Sequence, residues 1–271
     1  MNQDEEGWHY PYAAPAIPEP PYEMLSETEY LFVFFDAERS ALEHEVPHPL
    51  ELAAENESPL ATVWVGDAVQ PPHSRSPYHE GVVGVRVTFE GRTGWYFPYM
   101  WTDNDEAMLT GHLYGFPKQL CDTDPLETAG NTIRGVVNRS GKTLFEVNFS
   151  FRSPPESRRS PDLEVKLADI MAGTSEKHHT DLQVRKIPSP EPDGKVLKQV
   201  IEVETEDYTT EEIWEGNASL EIRPNGYYPN FENLTPTNIH SAFYLRPNFI
   251  LPEAEVVWEE FKRPSERSKE R

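Results

Sequence analysis

Short runs of β-branched and aromatic residues recur along the chain, most of them closed by Gly, Pro, Asn or charged residues. They are YLFVFF (30–35), ATVWV (61–65), VGVRVTF (83–89), GWYFPYMW (94–101), TIRGVV (132–137), TLFEVNFSF (143–151), VLKQVIEVE (196–204) and SLEIR (219–223). Such side chains lose χ1 freedom in a helix and pack well on a pleated surface, so each run predicts a strand. Helical signals are fewer. Residues 37–46 have helical periodicity that stops at Pro47. An Asp-capped helix is expected over 103–110. A further helix is expected over 252–261, with a proline near its start and Val256, Val257 and Phe261 on one side. The reading is a mainly β (α+β) fold, a closed barrel- or cone-like core with a few short helices.

Residues 1–22 are acidic and proline-rich and read as an irregular arm. Residues 264–271 form a charged tail without apolar anchors. Between them, 23–263 reads as one domain. It is interrupted by polar connectors at 152–164 and 188–194. Lys plus Arg is 24 against 47 for Asp plus Glu, a formal net charge of −23. That field repels phosphate backbones and anionic lipid, which argues against nucleic-acid and membrane partners. MNQDEEGWHY has neither a basic n-region nor an apolar h-region, so no secretory leader is expected and a cytoplasmic location is. A single cysteine, Cys121, excludes an intrachain disulfide. The five sequons, such as Asn56 and Asn138, read as chance matches.

The most informative stretch is EAMLTGHLYGFPKQLCD (106–122). Between Glu106 and Asp122 the only formally charged residue is Lys118, surrounded by Met108, Leu109, Leu113, Tyr114, Phe116 and Leu120. Gly115 and Pro117 break a helix there and impose a bend. On composition alone the simpler reading is a lysine that snorkels out of a loop. A buried lysine would instead be desolvated, which disfavours the ammonium. Only the neutral amine attacks a carbonyl, and an unperturbed lysine is less than about 0.1% neutral at pH 7. If Lys118 is buried, the expectation is an amine whose pKa is lowered by desolvation.

Gly-Phe-Pro-Lys after the acidic segment TDNDEAMLTG resembles the active-site region of the acetoacetate decarboxylase superfamily. YHEGVVGVRVTFEGRTGWYFPYMWTDND resembles that family's glutamate-bearing strand and the next one. YLFVFFDAERSALEHEVPHPLEL, EEIWEGNASLEI and FILPEAEVVWEEFK resemble its first strand and turn, its closing strands and its last helix. The similarity covers about residues 18–263. It implies Lys118 as the Schiff-base lysine and Glu80 as the active-site glutamate. It also places Gln119 where the family has a second lysine, Thr28 where it has a substrate-binding arginine, and Trp64 where it has a second glutamate.

The implied activity is decarboxylation of a β-keto acid through an imine on Lys118. The implied substrate is larger than acetoacetate, and a fungal polyketide pathway would supply one. Two alternatives stay open: an imine-dependent aldolase or dehydratase of keto acids, and a catalytically degraded member that only binds a ligand. No cofactor and no metal are required, and a homo-oligomer is expected. Arg86 is a candidate replacement for the missing arginine, because residues 80, 82, 84 and 86 of one strand share a face. Trp64, Tyr114 and Phe116 are candidates for the substrate-binding lining; each also fits an ordinary core.

Other motifs carry less. His44-Glu45-Val46-Pro47-His48 matches H-E-x-x-H literally, but a zinc site needs both histidines on one helix face, and Pro47 prevents that. His178-His179 lies by a polar connector without a spaced carboxylate set, so metal binding there is unsupported.

Overall fold

A computed structural model describes residues 19–24, 27–69, 77–122, 124–152, 160–172, 179–189 and 196–262. Most of the expected arm and all of the expected tail lie outside these residues, as do parts of both polar connectors and His178. The first half of the chain forms β1 (Tyr22–Met24), β2 (Glu29–Asp36), α1 (Arg39–Glu45), β3 (Glu51–Leu52), β4 (Ala61–Ala68), β5 (Tyr78–Phe89), β6 (Arg92–Thr102), α2 (Asp105–Leu113), β7 (Lys118–Leu120), β8 (Glu127–Ala129) and β9 (Thr132–Arg139). The second half forms β10 (Lys142–Phe151), α3 (Pro161–Met171), β11 (Thr180–Pro188), β12 (Val196–Glu204), β13 (Glu206–Ile222), β14 (Asn238–Leu251) and β15 (Glu255–Lys262).

All the strands belong to one sheet, in the order β15-β12-β11-β6-β5-β4-β2-β14-β13-β10-β9-β8. Off that path, β1 pairs with β14, β3 with β5 and β7 with β6. The mainly β expectation holds, but the closed core does not. Among the described residues the pairing path ends at β15 and β8 without joining, so the sheet is curled and open. Curling stacks one part on another: a Cβ on Gly81 would lie 2.1 Å from Val137, and one on Gly135 would lie 2.3 Å from Val65. Packing of β9 on β4 and β5 thus covers the apolar face without edge closure.

The continuous apolar runs have a direct cause. The central strands are buried on both faces. In β2, Leu31, Val33 and Phe35 enter one core, while Tyr30, Phe32 and Phe34 enter the other. In β5, Val83, Val85 and Val87 face the first core and Val82 the second. Such strands lack the polar alternation of a half-exposed sheet.

Two local expectations change. Residues 252–261 were expected to be helical but contain β15, antiparallel to β12 with Trp258 opposite Val200. Val256, Val257, Trp258 and Phe261 suit a strand, and the open edge of β12 supplies backbone partners that a short isolated helix lacks. The 152–164 connector ends in α3, which starts at Pro161 and buries Leu167 and Met171 in the second core. Helix α1 ends at Glu45, before His48, so the H-E-x-x-H match has no helical face. No described helix is long and apolar enough to cross a membrane.

Candidate active site

Lys118 is positioned by a helix end and a short strand. The Asn104 side chain caps α2 by accepting from Ala107 N at 2.8 Å. The expected helix is therefore present, capped by Asn104 rather than by an aspartate. It stops at Tyr114, and Gly115 takes a φ of 81°, open to glycine at little cost. Past Pro117, β7 runs parallel to β6, with Lys118 opposite Met100 and Gln119 opposite Trp101. Side chains alternate along a strand, so Lys118 and Met100 face the second core while Gln119 and Trp101 face away. The Lys118 stem lies directly on α2. A Cβ at Gly111 would sit 2.9 Å from Lys118 Cδ. Gly111→Ala should therefore displace the amine and lower kcat/KM by about tenfold or more, with a smaller change in melting temperature. Enzyme assay beside thermal melting checks this.

Lys118 Nζ lies 3.1 Å from Glu80 Oε2, and both side chains are less than a tenth exposed. The other carboxylate oxygen accepts from Tyr30 OH at 2.8 Å and from Trp64 Nε1 at 3.4 Å. The amine also lies 4.9 Å from the centre of the Tyr78 ring. This arrangement corrects the expected amine pKa. Desolvation pulls Lys118 down, but the Glu80 carboxylate and Tyr78 push it up and prevail, so it rests above the ordinary lysine value. Burial raises the Tyr78 phenol to about 12 and carries Tyr30 well above its ordinary value, so both stay protonated donors near neutral pH. The resting site is a buried ammonium–carboxylate pair.

The pair opens on a cavity with about 80 Å³ of free space. Phe32, Trp64, Phe97, Met100 and Phe116 form part of its apolar wall. Two of the expected lining residues, Trp64 and Phe116, are therefore on it. Tyr114 stands behind Phe116, stacked on it at 5.9 Å, with its hydroxyl donating to Pro252 O at 2.8 Å. Arg86 is elsewhere. Its guanidinium donates to Ile170 O and Ala172 O at the end of α3, each at 3.0 Å. It shares the Glu80 face, as period two requires. Six residues of strand still separate the two by about 20 Å, and a face argument cannot see that distance.

Thr28 turns to Val69, donating to its carbonyl at 3.3 Å and accepting from its N–H at 3.0 Å. Gln119 accepts from Arg139 and from Tyr228 OH on the far side of β7. Gln119→Lys should accordingly leave the pH profile of turnover within about half a unit of wild type, since a charge outside the cavity is strongly screened. It should also lose stability beside Arg139. A shift of a full unit would show that this position senses the amine.

Sequence reasoning missed His179, Asp181 and Thr205, all on the cavity wall. His179 Nε2 lies 2.7 Å from Asp181 Oδ1, with side chains 13% and 6% exposed. The signal was present in HTDLQ (179–183), where polar residues alternate with others at period two. Gln183 lies on the same face, spanning β6 and β11 by donating to Trp95 O and accepting from Phe97 N. Among the described residues no His, Cys, Asp and Glu cluster suits a metal.

The family profile for acetoacetate decarboxylase (ADC) matches residues 9–261. An acetoacetate decarboxylase of Clostridium botulinum is 24% identical over 254 residues, 93% of this chain and 95% of its own. One of Clostridium acetobutylicum is 23% identical over 253 residues, again 93% and 95%. A solved acetoacetate decarboxylase superposes with a TM-score of 0.76 at 22% identity, covering 96% of this chain and 99% of that one. The enduracididine biosynthesis enzyme MppR, solved with the condensation product of pyruvate and imidazole 4-carboxaldehyde, superposes at 0.72 with 18% identity, covering 93% and 95%. Sequence and fold agree over nearly the whole length, and the chain belongs to the acetoacetate decarboxylase family.

Proposed function

We propose that this protein is a Schiff-base-forming lyase that decarboxylates a β-keto acid on Lys118. The observation that carries the reading is the Lys118–Glu80 pair, 3.1 Å apart and buried against an aromatic cavity. Glu80 accepts the ammonium proton, and the free amine adds to the ketone carbon. Loss of water gives a protonated imine. The bond between the α-carbon and the carboxylate then breaks. CO2 leaves, and the electron pair moves into the C=C bond of an enamine while the imine nitrogen becomes neutral. A proton returns to the α-carbon, and water hydrolyses the regenerated imine to release a ketone. Glu80 stands within reach to move these protons, while Tyr30 and Trp64 hold its other oxygen.

The aromatic wall favours a β-keto acid with an apolar substituent. A cavity of about 150 Å³ holds benzene, so about 80 Å³ suits a short substituent rather than a multi-ring chain.

The test is borohydride reduction in the presence of a β-keto acid. One adduct located on Lys118 by peptide mass spectrometry, together with CO2 release in its absence, is expected. A label elsewhere, or none with an acid that is turned over, overturns the reading. A Lys118 adduct without CO2 release identifies aldol or dehydration chemistry instead.

A further inference from the structure

A β-keto acid brings a carboxylate into a cavity whose acidic and basic lining side chains, among the described residues, are Glu80, Lys118, His179 and Asp181. Glu80 and Asp181 repel it. Lys118 is consumed in the imine, where its positive charge serves as the electron sink. The nearby arginines are engaged elsewhere. Arg86 holds the end of α3, and Arg185 donates to Leu113 O and Gln199. Thr28 carries no charge and turns to Val69. His179 is the remaining described group on the wall able to carry positive charge.

We propose that His179, oriented by Asp181, recognises the substrate carboxylate and selects keto acids over neutral ketones; this rests on the imine reading of Lys118. His179 and Asp181 are two residues apart on a strand, so their side chains share one face. Thr205 N donates to His179 O at 2.9 Å and fixes the backbone at that point. Asp181 Oδ1 lies 2.7 Å from Nε2, an ion-pair contact outside hydrogen-bond geometry, and so stands on the Nε2 side of the ring. An imidazolium has a donor on each nitrogen, so the Nδ1 side supplies a charge-assisted bond to a carboxylate oxygen. Asp181 also limits that attraction. A protonated ring beside an ionised Asp181 would carry no net charge, so the pair would orient the carboxylate without a strong field that would hold it back from leaving as CO2.

The experiment compares acetoacetate with 2-pentanone, a neutral monoketone of similar size, as probes of borohydride-dependent labelling of Lys118. His179→Gln should raise the half-saturating acetoacetate concentration by about tenfold or more, the worth of one charge-assisted hydrogen bond. The monoketone value should stay within about twofold, well inside the worth of a single hydrogen bond. His179→Arg should restore much of the preference for the acid. Equal weakening of both probes, or of neither, overturns the assignment of His179. Equal weakening would mean only that the cavity wall had shifted. Absence of label with both probes in the unaltered protein overturns the Lys118 reading and takes the His179 assignment with it. Label with both probes in that protein keeps the two outcomes separate.

Discussion

Lys118→Arg is expected to abolish borohydride labelling and lower turnover by at least about 10,000-fold, while the protein stays folded. A guanidinium does not deprotonate in a protein, so the imine cannot form. Arginine is chosen because it keeps a cation against Glu80. Removing the charge with methionine would leave a buried carboxylate unpaired and confound activity with a stability loss of about 3–5 kcal/mol. The larger head group must fit where the lysine stem already touches α2. A modest loss of melting temperature, within about 5 °C, is therefore expected. Labelling, CO2 release and melting measured on one preparation check this. Residual turnover near a tenth of wild type would exclude covalent catalysis by Lys118.

Glu80→Gln should produce the largest change in stability and reverse its dependence on pH. In the unaltered protein the Lys118 pKa is raised. The ion pair therefore stabilises fully below the unfolded lysine pKa of about 10.4, and that contribution fades as pH climbs through the higher folded value. Without the carboxylate, desolvation dominates and the folded pKa drops below 10.4. The unfolded chain then binds the additional proton, so stability rises with pH between the two values. Near pH 7 an ammonium stripped of its partner should cost about 3–5 kcal/mol.

The amide that Glu80→Gln introduces can still accept from Tyr30 and Trp64 through its carbonyl oxygen and offer an N–H to a neutral amine. Labelling should therefore persist. Turnover should fall by about 100-fold or more, because the amide cannot relay protons. Urea unfolding from pH 6 to 10 tests the sign. Parallel stability curves for the two proteins would show that Glu80 does not control the Lys118 proton.

The chain's own residues determined a good deal. β-Branched and aromatic runs mark most of the central strands, because local side-chain sterics act wherever the chain folds. GFPK and the flanking segments located Lys118 and Glu80 through family likeness. Strand β14 escaped notice because its polar start and the Arg246-Pro247-Asn248 interruption blur the pattern. Pro247 is accommodated beside a register shift against β13. Period two correctly put Arg86 on the Glu80 face, but it does not say which segment covers that end of the strand, here α3.

The state of the Lys118 amine was the furthest from local reach. An apolar neighbourhood in sequence argues for desolvation and a lowered pKa, and burial does act in that direction. Glu80 lies 38 residues away and comes within 3.1 Å only because β5, β6 and β7 are neighbours in the sheet. The same sheet brings His179 and Asp181 to the cavity wall from a stretch that the strand runs of the sequence did not include. Propensity and pattern are properties of neighbouring residues. Electrostatics in a low-dielectric cavity depends on separations of a few ångströms between distant ones, so only the tertiary structure decided the charge of the amine and the company it keeps.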